Sequence, residues 1–247
     1  MDTSAIWEHT LAHHLWNQFQ TWWRFKMTLP NVQRTVLETI QLNIANLPPI
    51  LKNIIIEGRY EVQERLLAKR FLRASDAVLE LGSAIGFIGL FCQQQIGISK
   101  YVGVEANPHT IRLAEQNYEM NGIKPSLRHA AVAPEDGVIS LNMNNDFWRD
   151  SVVANNPEAH STQVPAKTLG TLIKELDFEP TAIIADIEGA EQYIRWSDMP
   201  KTVHTVIMEL HPDVIGYPET YRVIADLMNI GFSVAAEEVG TYAFIRK

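Results

Sequence analysis

A chain of 247 residues, 46% of them apolar, is long enough for one large α/β domain with a short extra module at one end. Its 29 acidic and 21 basic side chains leave a formal net charge of −8, which argues against a basic footprint for nucleic acid. The single cysteine, Cys92, cannot form an intrachain disulfide, and no uninterrupted apolar stretch approaches the roughly 18 residues of a membrane span.

The N-terminus carries no basic-then-apolar signal pattern, so the expectation is a cytoplasmic protein with neither nucleic acid nor membrane as partner. Residues 3–27 read as an amphipathic helix that holds four of the six tryptophans, Trp7, Trp16, Trp22 and Trp23. This aromatic stripe suits docking against the main domain or a homodimer mate, or a lid over a substrate pocket. His9 and His13 are spaced for one helix face, but no third metal ligand lies near them, and solvated histidines are the better reading. Residues 32–56 are mixed, with a strand over Glu38–Leu42 and a turn or extended loop at Leu47-Pro48-Pro49-Ile50. A helix follows from Tyr60 to Leu72. The division expected is an extension over 1–57 and a catalytic-type domain over 58–247.

The chain is organised around residues 77–105. An apolar run, Ala77–Leu81, meets a small-residue loop at Gly82-Ser83-Ala84-Ile85-Gly86, then an apolar helix, then a second apolar run, Tyr101–Val104, closed by Glu105. Short apolar runs bounded by turn residues read as buried parallel strands, with a ligand loop at the carboxyl end of the first. Gly82 and Gly86 allow a tight turn and close approach of a ligand. Glu105 can accept hydrogen bonds from two vicinal ribose hydroxyls. Glu80, just before the loop, would repel a dinucleotide's phosphates and suits a cationic group instead, such as the ammonium or sulfonium of S-adenosylmethionine. The glycine spacing also departs from the dinucleotide fingerprint. It comes near the loop of short-chain dehydrogenases, but none of the seven tyrosines has a lysine four residues on.

Asn107-Pro108 starts a helix that Asn121-Gly122 ends. Ser126–Ala131 reads as a third strand and Val138–Asn142 as strand-like, whereas polar residues 144–163, with Trp148, read as a loop facing substrate. Thr168–Leu176 is helical. Ala182–Asp186 is another buried strand, Glu191–Trp196 looks helical, and Val203–Leu210 is a fifth parallel strand. A helix over Tyr217–Ile230 is stopped by Gly231, and Phe232–Glu237 with Thr241–Ile245 form a terminal hairpin. The sum is an α/β, doubly wound, Rossmann-like sheet of seven mostly parallel strands with a terminal antiparallel hairpin and an N-terminal helical extension.

Four segments carry a family resemblance: Leu79–Gly86; Val104-Glu105-Ala106-Asn107-Pro108; Ala185-Asp186-Ile187-Glu188-Gly189-Ala190-Glu191; and Val206–Pro212. With them the chain resembles the class I S-adenosylmethionine-dependent methyltransferases, and more narrowly the FkbM family. The third segment looks like that family's D-x-E-G-x-E signature. The first has Glu80 in place of Asp, the second Ala106 in place of Pro, and Gly170 replaces an acid in a T-L-D-x-L-like segment. The likeness covers about residues 58–247.

The resemblance implies O-methylation of a hydroxyl on a natural product, sugar or modified peptide, with carboxylates as further acceptors. Glu80, Gly82, Ser83 and Gly86 are assigned to the methionine end of S-adenosylmethionine, Glu105 to the ribose and Ala131 to the adenine site. Asp186 is placed beside the donor, and Asp186, Glu188 and His211 toward the acceptor, with His211 as general base. Glu191 reads as a charge at a helix N-terminus. Mg²⁺ on Asp186, Glu188 and Glu209 is a less favoured addition, because the signature does not require it. A non-catalytic cofactor-binding scaffold is the alternative, and a nicotinamide-dependent oxidoreductase the third reading.

Overall fold

The computed structural model describes residues 32–143 and 160–246. The expected aromatic helix over 3–27, the pair His9 and His13, and Trp148 lie outside the described residues.

The first strands are β1 (Arg34–Leu37) and β2 (Ile40–Asn43), an antiparallel pair joined through Glu38 and Thr39 at positive φ. The strand expected over Glu38–Leu42 is therefore interrupted by the turn itself. Helix α1 (Pro49–Ile56) follows, where a loop was expected at 47–50. Pro49 sits in its first turn, where a missing N–H costs nothing, and Leu51 and Ile55 are buried one turn apart. Helix α2 (Val62–Phe71) leads to β3 (Ala77–Leu81), α3 (Phe87–Phe91) and β4 (Lys100–Glu105). Next come α4 (Pro108–Met120), β5 (Leu127–His129), β6 (Ala131–Val132), β7 (Gly137–Met143), β8 (His160–Lys167) and α5 (Leu169–Lys174). The chain ends with β9 (Ala182–Ala185), β10 (Thr205–Glu209), α6 (Pro212–Ile215), α7 (Tyr217–Asn229), β11 (Ser233–Glu238) and β12 (Thr241–Ile245).

Seven strands form one sheet in the order β11-β12-β10-β9-β3-β4-β5. Neighbours from β10 to β5 are parallel, and β12 runs antiparallel between β10 and β11. This is the doubly wound, Rossmann-like methyltransferase fold. Its central strands are buried on both faces, so they read as continuous apolar runs. Alternation sends Val78, Ile184 and Ile207 to one side, against Leu51, Ile55, Leu67, Phe87 and Tyr118. It sends Leu79, Leu81, Ile183 and Met208 to the other, against Leu169, Leu172, Val223 and Leu227. Each such side chain contributes roughly 1.5–3 kcal/mol on burial. Residues of β2 and α1 share the first core with β3, and Asn43 N donates to Asn117 Oδ1 in α4 at 2.7 Å.

Three local expectations are corrected. The third strand splits at Ala130: β5 pairs with β4, and β6 leaves to pair with β8. Residues 160–163 are not loop but the start of β8, which pairs with β7 in a small separate sheet. That strand is hard to see because one side meets solvent: Val164 and Ala166 are buried while Gln163 is exposed. In place of a helix over Glu191–Trp196 there are two 3₁₀ turns, Ala190–Tyr193 and Trp196–Asp198.

Candidate active site

The carboxyl ends of β3, β4, β9 and β10 open onto a cavity of about 310 Å³. The loop after β3 forms its floor. Gly82 has φ +83, and a Cβ there would overlap the Asp186 carbonyl oxygen, so only glycine fits between the β3 and β9 loops. The Gly82 and Ser83 amides both donate to the Val104 carbonyl, at 2.9 and 3.0 Å. Glu105 is fixed from two sides: Oε2 accepts from Ala84 N at 2.9 Å and Oε1 from Asn107 N at 2.7 Å. Asn107 in turn caps α4, its Oδ1 accepting from His109 N at 2.8 Å. Gly82, Ala84, Glu105, Ala106, Ala131 and Val132 make one half of the lining.

The other half is acidic. Asp186 and Glu188 come from the loop after β9, Glu209 from the end of β10, and Glu61 from the start of α2, with Tyr60 beside it. Glu61 and Glu188 hold left-handed backbone, φ 51 and 49, as does Ala84 on the cavity floor, φ 42. For non-glycine residues this costs roughly 1–3 kcal/mol each, a strain usually kept where a site needs it. Burial raises the Glu61 carboxyl well above its usual range, with Glu64 and Asp186 adding to it. Burial also raises Asp186, against the pull of His211 and with Glu191 adding to it. Glu209 is pushed up to about 8 by burial, then by the charges of Asp186 and Glu64.

His211 lies behind this wall, 8% exposed. Its Nε2 is 3.5 Å from Asp186 Oδ1 and 3.6 Å from Glu188 Oε2. Its Nδ1 is 3.3 Å from Glu191 Oε1. Burial alone would lower its pKa, but the hydrogen bond to Glu191 and the charges of Asp186 and Glu188 outweigh it and raise the imidazole to about 10. His211 is therefore a cation at neutral pH, which works against its expected role as general base. Glu191 stands in the first turn of the 3₁₀ helix Ala190–Tyr193, as expected of a charge at a helix N-terminus, but its contacts reach further. It is 0% exposed and spans two loops.

Of the expected binding residues, Gly82, Glu105, Ala131 and Asp186 line the cavity, and so does Glu188. Glu80 is a correction. It points from β3 into the core, 3% exposed, where its carboxylate accepts from the Tyr101 hydroxyl and burial raises its pKa. Strand alternation accounts for this, since Glu80 shares a face with Val78. Ser83, 3% exposed, and Gly86, whose Cβ would crowd the Tyr118 ring at 2.9 Å, shape the loop from beneath and are not in the lining. Tyr60 and Glu61 went unnoticed because nothing in sequence separates them from any helix start.

Asp186, Glu188 and His211 present ligand atoms within 4.8 Å of one another. Two carboxylates and an imidazole nitrogen are not the all-oxygen ligand set that Mg²⁺ takes. Among the described residues no helix is long and apolar enough to cross a membrane.

Residues 52–176 match the family model described as "Methyltransferase small domain". No curated protein matches the sequence. Among solved structures, the chain is similar to a ribosomal protein L11 methylase from Lactobacillus delbrueckii subsp. bulgaricus, at 15% identity over 74% of this chain and 75% of that one, with a TM-score of 0.45. It is also similar to a magnesium protoporphyrin IX methyltransferase from Synechocystis PCC 6803, solved with bound S-adenosylmethionine, at 12% identity over 80% and 84% of the two chains, TM-score 0.48. A precorrin-6y C5,15-methyltransferase from Geobacter metallireducens GS-15 gives 11% identity over 75% and 86%, TM-score 0.45. At these identities the likenesses say nothing of substrate. The family match spans half of the sequence, and the chain belongs to the methyltransferase small domain family.

Proposed function

We propose that the protein transfers a methyl group from S-adenosylmethionine to a hydroxyl group of a small molecule or peptide. The observation that carries this reading is one cavity with two unlike halves: the Gly82–Glu105 half on one side, the carboxylates Asp186, Glu188, Glu209 and Glu61 on the other. The donor half fits the cofactor's adenosine, since Glu105 is oriented by two backbone amides and Gly82, Ala84 and Ala131 leave room along the floor. When bound, S-adenosylmethionine supplies a methyl carbon on a sulfonium, so in-line alignment does much of the work.

The Asp186 backbone adjoins Gly82 and the residue lines the acid wall, which supports a position between donor and acceptor. With its pKa above the usual carboxylate range, it is a better proton acceptor than an ordinary aspartate. It takes the hydroxyl proton as the oxygen–carbon bond forms and the carbon–sulfur bond breaks. His211 Nε2 stands beside both Asp186 and Glu188 and holds them together. A carboxylate acceptor is disfavoured, because the burial and crowding that already raise Glu61, Asp186 and Glu209 penalise a further ionised carboxylate there. The same wall favours a second reading, methylation of an amine nitrogen, whose ammonium form it attracts. The narrower FkbM resemblance, and a natural product or sugar as acceptor, stand as part of this proposal.

The test is incubation of the protein with radiolabelled S-adenosylmethionine and cell-derived small molecules, followed by mild base. Methyl ethers and methylamines keep the label, as expected here. A base-labile methyl ester as the main product would contradict the acid-wall argument.

A further inference from the structure

Glu191 is the most enclosed carboxylate near the cavity, and it is not in the lining. Both its oxygens are in use. Oε2 accepts from Gly189 N at 2.8 Å, and Oε1 from His211 N at 3.0 Å, with His211 Nδ1 at 3.3 Å. It thus fastens the loop after β9 to His211, two residues past the end of β10. The β9 loop needs fastening: Glu188 and Gly189 are consecutive left-handed residues, and Gly189 is wedged against Val214, which a Cβ would meet at 2.6 Å. From the far side of the ring, Nε2 reaches Asp186 and Glu188.

We propose that Glu191 is a positioning residue, which holds the His211 ring between Asp186 and Glu188 so that both carboxylates stay on the acceptor wall in a fixed arrangement. This rests on the methyl-transfer reading of the cavity. Among the described residues, the charged groups that act on the ring are acidic: Asp186 and Glu188 from the β9 loop and Glu191 from the 3₁₀ turn, with Glu209 of β10 and Glu64 of α2 interacting from further off. A neutral ring in that company would leave the wall without a counter-charge. Glu191 supplies the bond that orients the ring, as the third member of a carboxylate–histidine–carboxylate chain.

Two probes separate positioning from mere stability. S-adenosylhomocysteine reads the donor half alone. Sinefungin, the analogue with an amine-bearing carbon in place of the sulfur, adds an ammonium near where the methyl group sits, so it also reads the acid wall. The wild-type protein should bind sinefungin at least tenfold more tightly than S-adenosylhomocysteine, by calorimetry. In Glu191→Gln that preference should fall at least fivefold, while S-adenosylhomocysteine affinity shifts less than threefold. Ring ¹⁵N resonances should show His211 doubly protonated from pH 6 to 9 in the wild type and titrating in the variant. If Glu191→Gln does not fold, Glu191→Asp, which keeps the charge and shortens the reach, is read by the same ratio with a threshold of threefold. A preference that is absent in the wild type, or unchanged in the variants, overturns the positioning role. Failure of both probes to bind the wild type would instead sink the methyl-transfer reading.

Discussion

Glu191 Oε1 accepts from the backbone amide of His211 at 3.0 Å and stands 3.3 Å from its Nδ1, with no part of Glu191 exposed. A histidine held in this way is a fixed cation. That one relationship moves the proton-accepting role from His211 to Asp186 and gives the acid wall its counter-charge.

Stability is predicted to fall as pH rises. The His211 pKa is raised from 6.5 to about 10, so its contribution is complete below 6.5 and lost as pH climbs through 10. Glu209 is raised from 4.5 to about 8, so folding favours its protonated form and that contribution fades from 4.5 through 8. Both terms lower stability together between about pH 6.5 and 8, with Glu209 acting alone below that and His211 alone above it. Calorimetric Tm should decline over that range in the ligand-free protein. Glu209→Gln should flatten the decline and stabilise the protein at pH 9 by roughly 1–2 kcal/mol, once partial solvent screening is allowed for. A Tm that rises with pH would contradict the assignment.

Gly82→Ala and Gly122→Ala form a matched pair. Both glycines have positive φ, but a Cβ at Gly82 meets the Asp186 backbone whereas one at Gly122 meets nothing within 4 Å. Urea unfolding should show a loss of roughly 1 kcal/mol for Gly122→Ala, from backbone conformation alone. Gly82→Ala should lose roughly 2–4 kcal/mol and with it donor binding. Equal losses would mean that the β3 and β9 loops do not touch as described.

Asp186→Asn removes the proton acceptor with little change in shape. Turnover should drop by roughly 10²–10⁴-fold, with the KM for donor moving only a few-fold. A loss confined to donor KM would place Asp186 at the cofactor and not at the acceptor.

Chelation should leave activity unchanged, because the cluster of Asp186, Glu188 and His211 brings a nitrogen donor where Mg²⁺ takes oxygen. An EDTA-sensitive enzyme restored by Mg²⁺ would reverse that conclusion.

Much of the fold was legible because its signals are local. β3, β4, β9 and β10 are buried on both faces, so each is an unbroken apolar run in sequence. The floor was legible too: Gly82 and Glu105 sit at fixed places relative to two such strands. What was missed depends on partners far along the chain. Glu80 was read toward the ligand, but the Tyr101 hydroxyl waits on the neighbouring strand. Glu191 was read as a charge at a helix N-terminus, and it does stand in the first turn of a 3₁₀ helix, but its contact with His211, twenty residues on, could not be read from sequence. β8 was hidden because its buried Val164 and Ala166 alternate with half-buried or exposed polar residues and proline, and Glu61 enters the cavity through a backbone turn with no signature in residue type.

The central claim is that the Gly82–Glu105 half of the cavity holds S-adenosylmethionine. Calorimetric titration of the wild type and Glu105→Ala with S-adenosylmethionine and with NADH tests it most directly. Micromolar binding of S-adenosylmethionine alone is expected, weakened at least tenfold in Glu105→Ala by loss of charge-assisted hydrogen bonds worth roughly 1.5–3 kcal/mol. Binding of NADH alone, or of S-adenosylmethionine with equal affinity in both proteins, would contradict it.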